Sequence, residues 1–179
     1  MKSTQRKTLR RASFIALSVL FTTVFGVPAL AIGLVMVADG PDHGALEVMA
    51  ALLGVTAFCR RIAGSRIVLD QRGVSVINPL FTYDIPYRNV ARVENGQGSL
   101  LVTTTQAVEI LSVGYAGSII DSFVGSTDKA VAQVKAVLAE RRDLSGDTPT
   151  VRRLTRAWVA DGCAIGMLVC ILLALTVGS

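Results

Sequence analysis

The stretch RIVLDQRGVSVIN, residues 66–78, sets two short β-branched runs on either side of an Asp-x-x-Gly turn. Such runs favour strands, and a glycine able to take positive φ suits a tight turn, so the stretch reads as a β-hairpin. Downstream, Asn78-Pro79 breaks the second strand, and extended structure resumes over 81–85 until Pro86. Residues 88–94 alternate imperfectly, Asn95-Gly96-Gln97-Gly98 marks a turn, and 99–105 and 107–113 continue the pattern with Glu109 on one face. After Gly114, the residues Ile119, Ile120, Phe123 and Val124 suggest a last strand. Six or seven short strands with evenly spaced turns predict a small sandwich or barrel.

The period then switches. Ser126-Thr127-Asp128 offers an N-cap with an acid in the first turn, and Ala130, Val131, Val134, Val137 and Leu138 recur at helical spacing. Arg141 and Arg142 close the segment where cations suit the negative end of the helix dipole. One amphipathic helix following a set of strands is expected to bury its apolar face by closing the barrel.

Outside this domain the chain is far more apolar. Overall, 51% of the 179 residues are hydrophobic and 17% charged, against about 25% charged in an ordinary soluble domain. Residues 14–37 (FIALSVLFTTVFGVPALAIGLVMV) carry no charge and at helical rise span roughly 36 Å, enough to cross a bilayer core of about 30 Å. Pro28 should kink that helix. A second run, 44–59, is short, at roughly 22 Å for its apolar part, and contains Glu47. A third, 157–178, carries Asp161 in its first turns. The motif Ala29-Leu30-Ala31 imitates a signal-peptide cleavage site, but Ile32 to Val37 stays apolar beyond it, so the segment reads as a retained span.

Charge supplies an orientation. Eighteen basic against thirteen acidic residues give +5, and the excess lies in three clusters flanking the apolar runs: Lys2, Arg6, Lys7, Arg10 and Arg11; Arg60 and Arg61; Arg152, Arg153 and Arg156. Lys and Arg resist translocation, which places these flanks in the cytoplasm and the Lys/Arg-free loop around His43 outside. The expected layout is a basic cytoplasmic tail (1–13), a transmembrane hairpin (14–60), a cytoplasmic domain (64–143), a basic linker (144–156) and a third transmembrane helix ending outside. The expected address is the inner, or plasma, membrane. Residues 64–150 carry eight basic and nine acidic side chains, which argues against nucleic-acid binding and against a phosphoinositide site.

The strands, the D-x-x-G hairpin, the Asn78-Pro79 break, the segment Ile85-Pro86-Tyr87-x-x-Val90 and the closing helix resemble a bacterial pleckstrin-homology (PH)-like domain. More narrowly, the layout over residues 14–142 is similar to the small membrane proteins named after low molecular weight protein antigen 6. In those, two helices precede such a domain, and the position of Tyr87 is often Trp followed by a polar pair and Val. The resemblance implies a seven-stranded barrel with one capping helix. It implies no activity.

Motifs for chemistry are sparse. The chain has no P-loop, nucleophile elbow or H-E-x-x-H, so no catalytic residue, cofactor or metal is expected. His43 reads as a solvated loop residue, and Cys59, Cys163 and Cys170 as small apolar side chains of membrane helices. Asp84, Arg88 and Glu109 are the only candidates for an enzymatic site in the β domain, with nothing in their spacing to join them. The clearest feature is a stripe at every fourth position of the third helix: Gly162, Gly166, Cys170, Ala174 and Gly178. Small residues at that spacing let another helix approach closely. The stripe is expected to pack on the first helix or on a second copy, with Asp161 either snorkelling or contacting a hydroxyl such as Ser18 or Thr22. The functional expectation is a non-enzymatic scaffold or accessory subunit binding another protein, with lipids touching the basic flanks. The alternatives are a small transporter or channel subunit and an enzyme.

Overall fold

A computed structural model describes residues 6–96, 99–115, 126–142 and 148–177. The chain is α+β and divides into two compact units, residues 1–14 with 64–155 and residues 15–63 with 156–179. The strand expected over 119–124, the tip of the 95–98 turn, the start of the linker at 144 and Gly178 lie outside the described residues.

The first unit holds two antiparallel sheets. The larger has the order β1 (Lys7–Leu9), β2 (Arg66–Leu69), β3 (Gly73–Ile77), β4 (Phe81–Pro86), β8 (Val151–Leu154), and the smaller runs β5 (Val90–Gly96), β6 (Ser99–Thr104), β7 (Glu109–Ser112). The hairpin over 66–78 pairs Leu69 with Val74 and Arg66 with Ile77. Alternate residues of both sheets (Ile67, Leu69, Val74, Val76, Ile85, Val90, Val93, Leu100, Val102 and Ile110) meet in one core. The helix Ser126–Arg141 lays Ala130, Val131 and Val134 into that core with Val137 and Leu138 partly buried beside them, which are the positions of its apolar repeat. Its first turn is tied down from two sides, by Asn95 donating to Asp128 (2.7 Å) and Arg11 donating to the buried Thr127 hydroxyl (3.0 Å).

Gly73 serves a different purpose from the one its turn suggested. Its φ is not positive; instead a Cβ there would stand 2.2 Å from the carbonyl oxygen of Ile85, so only glycine permits β3 and β4 to approach. The strained position is Ala107, at φ 59° in the turn where the Val108 amide donates to the Thr104 hydroxyl (3.1 Å).

The segments expected as a basic tail and a basic linker each contribute an edge strand. β1 pairs with β2 (Lys7 opposite Leu69, Leu9 opposite Ile67), and β8 pairs with β4 (Val151 opposite Asp84, Leu154 opposite Phe81). Edge backbone groups of β2 and β4 that would otherwise be open are thereby paired, and the short outer edges carry Lys and Arg, which discourages further pairing. With residues 1–14 and 151–155 included, the unit holds fifteen basic and nine acidic residues, a net +6 in place of the near-neutral balance of 64–150 alone.

The second unit is helical. Its first helix runs Ala12–Phe21, passes through a π-helical turn Thr22–Gly26, and continues as Val27–Asp39. The wide turn ends two residues before Pro28 and accommodates the ring that would otherwise clash with the preceding turn. Thr22 and Thr23 donate back to the carbonyls of Ser18 (2.6 Å) and Val19 (3.0 Å), so their hydroxyls are satisfied within the helix. The second helix, His43–Ala63, is longer than its apolar run because it absorbs polar residues at both ends. The C-terminal helix spans Trp158–Val177. Two helices, Ser13–Asp39 and Trp158–Val177, are long and apolar enough to cross a membrane; His43–Ala63, which carries Glu47, Arg60 and Arg61, is not among them.

Candidate helix-packing site

The stripe of the C-terminal helix lies against the second helix. Cys170 and Ala174 are buried with Leu46 and Ala50, and Met36, Met49, Leu53 and Met167 pack around them. A Cβ on Gly166 would meet Leu53 at 3.2 Å, and one on Gly54 would meet the Met167 sulfur at 2.8 Å, so both glycines permit close approach across the seam. Gly162 has nothing within 4 Å of such a Cβ and takes no part in the packing. Within the chain the stripe packs on the second helix, a partner different from the two expected, the first helix or a second copy. The reason is visible in the second helix itself: Leu46, Ala50, Leu53 and Ala57 recur at three- and four-residue intervals and complement the small positions opposite.

Charged groups tie the helices at one end of this seam. The Arg61 guanidinium donates to Asp161, both side chains about a third exposed, and the other Asp161 oxygen accepts from the Ala157 amide at 3.1 Å, which caps the start of the helix. Asp161 therefore makes an interhelical contact, but with Arg61 rather than a hydroxyl of the first helix. Ser18 accepts from the neighbouring Arg60 at 2.9 Å. Two successive arginines thus reach in two directions, Arg60 to the first helix and Arg61 to the C-terminal one. Counted only as orientation signals, they gave no hint of this; the hint available was an arginine and an acid each near the same end of an antiparallel pair.

At the opposite end His43 is not a loop residue. It opens the second helix, and its Nδ1 lies 3.0 Å from the carbonyl oxygen of Ala174, which can only accept, so the ring donates there; its Nε2 lies 3.4 Å from Glu47. Near a helix C-terminus carbonyls lack intrahelical partners, and a side-chain donor from a neighbouring helix satisfies one.

The residues weighed for enzymatic chemistry do not converge. Asp84 accepts from Ser75 (2.5 Å) and from Arg153 (2.7 Å), while Arg88 and Glu109 are exposed on different elements. Among the described residues no three His, Cys, Asp or Glu side chains gather to hold a metal. Elsewhere in the β unit, Tyr87 is fully buried and donates to the Asp70 carbonyl at 2.7 Å; Arg141 donates to the same oxygen at 3.3 Å. Burial raises the Tyr87 phenol above its ordinary range, opposed by the Arg141 charge beside it. No family model, no curated protein and no solved structure matches the chain.

Proposed function

We propose that the chain is a three-pass membrane protein that presents a cytoplasmic PH-like domain as a non-enzymatic interaction module for another protein. One observation carries the topology: β1, β2 to β4 and β8 belong to one hydrogen-bonded sheet. Residues 7–9, 66–86 and 151–154 must therefore share one side of any membrane. If Ser13–Asp39 crosses, the chain has to return before Arg66, and His43–Ala63 is the segment left to bring it back. Its polar groups are compatible with that passage because Arg61 and His43 are engaged by the C-terminal helix. The basic flanks then put the sheet in the cytoplasm and the end of Trp158–Val177 outside. The role of β1 also favours retention of the first helix, since cleavage after Ala31 would remove a strand of the sheet.

The PH-like assignment is supported by two antiparallel sheets closed by one amphipathic helix. A protein partner, rather than a substrate, is favoured by the dispersal of Asp84, Arg88 and Glu109. Reporter fusions test the topology: a phosphatase fused after Val177 is active and one fused after Arg142 inactive, and the reverse pattern rejects the reading. Photocrosslinkers on exposed positions of the domain in intact membranes test the partner, which the reading requires to be one reproducible protein; crosslinks to lipid alone refute it.

A further inference from the structure

The register of the larger sheet gathers three chain crossings at one end. β1 leaves at Leu9, β2 enters at Arg66 opposite Ile77, and β8 leaves at Leu154 opposite Phe81. Each continues into an apolar helix within two or three residues. The β3–β4 turn, Asn78 to Leu80, is at this same end and is fixed there: Thr155 donates its amide to Leu80 (2.9 Å) and its hydroxyl to Asn78 (2.8 Å), and Asn78 donates to the Leu111 carbonyl (2.7 Å). The rim so formed is unlike the rest of a solvated domain. Leu80, Leu111 and Leu154 are 59%, 52% and 72% exposed. Residues 9–10, 64–67, 77–82, 111–113 and 154–155 include Arg10 and Arg66 and not one acid, whereas Asp70 and Asp84 lie toward the other end of the sheet.

We infer that this rim, centred on Leu80, is a lipid-contacting surface whose occupant is the anionic headgroup layer of the membrane. Exposed leucines among arginines match such a layer: the apolar side chains enter the boundary between headgroup and acyl chain, and the arginine charges are attracted to the anionic surface. The contact is with a surface rather than with one phosphoinositide, since the arginines are spread along the rim and do not converge. The inference rests on the membrane-spanning reading above and adds a specific face of the domain to it.

The full-length protein, with Cys59, Cys163 and Cys170 replaced by Ala, is reconstituted into vesicles of phosphatidylcholine with phosphatidylglycerol. An environment-sensitive fluorophore is attached in turn at Leu80→Cys, Leu154→Cys, Arg72→Cys in the turn at the opposite end of the sheet, and Leu172→Cys on the C-terminal helix. The expected result is blue-shifted emission at 80 and 154, aqueous emission at 72 and lipid-like emission at 172, with the shift at 80 and 154 reduced in phosphatidylcholine alone. Aqueous emission at 80 and 154 with lipid-like emission at 172 overturns the rim while leaving the spanning reading intact. Aqueous emission at 172 as well overturns both. A shift at 80 and 154 that is indifferent to anionic lipid overturns the headgroup recognition.

Discussion

Arg61 and Asp161, one hundred positions apart, form an ion pair between the second and C-terminal helices. The pair replaces two isolated charges in an apolar setting by one mutually satisfied contact, which is how acids and arginines are tolerated near membrane depth. Asp161→Asn or Arg61→Gln should weaken the helix pair by about 0.6–1.7 kcal/mol, the range of polar contacts between membrane helices. The swap Arg61→Asp with Asp161→Arg should recover part of the loss. Thermal unfolding of the full-length protein in micelles reads all three; a swap worse than the sum of both single changes would show that the pairing itself contributes nothing.

The two glycines of the G-x-x-x-G motif should respond in opposite ways. Gly166→Ile drives a branched side chain into Leu53 and should cost about 1–3 kcal/mol. Gly162→Ala meets open space and should be neutral or stabilising by up to about 1 kcal/mol through helix propensity. The same thermal measurement separates them, and equal losses would mean that both glycines face a helix.

Two backbone positions in the β unit make a matched test. Gly73→Ala, with its Cβ on the Ile85 carbonyl, should destabilise by about 3 kcal/mol. Ala107→Gly relieves a left-handed alanine and should stabilise by about 0.5–1 kcal/mol, the strain relief being partly offset by unfolded-state entropy. Denaturant titration of the intact protein followed by far-ultraviolet dichroism checks both signs.

Tyr87 provides a pH signature. Because burial raises its folded phenol, the folded state holds the proton more tightly than the unfolded chain, whose phenol titrates near 10. The stabilisation is fully present below the unfolded value and is lost as pH rises through the folded one. Spectrophotometric titration should show a phenolate transition above the ordinary range that Tyr87→Phe abolishes. The same substitution should cost about 1 kcal/mol at neutral pH for the hydrogen bond to Asp70.

Much of this was readable in the chain because local periodicity carries it. The hairpin at 66–78 and the apolar face of Ser126–Arg141 follow from side-chain alternation over a few residues. The edge strands were not readable: Lys7–Leu9 and Val151–Leu154 are three and four residues long, basic, and acquire strand structure only by pairing with β2 and β4. The stripe of small residues identified a packing face, but its partner depended on the second helix, whose complementary positions hide among polar ones. Arg61 with Asp161 and His43 with Ala174 are tertiary choices that spacing along one helix does not encode.

The placement of β8 has a consequence for biosynthesis. β1 is made first and can pair as soon as β2 emerges, but β4 waits for its neighbour until residues 87–150 have followed it out of the ribosome. During that interval the outer edge of β4 stays unpaired, the type of surface on which nascent chains associate wrongly. Nascent chains ending before Val151 carry that open edge, and completion of β8 is the step that closes it.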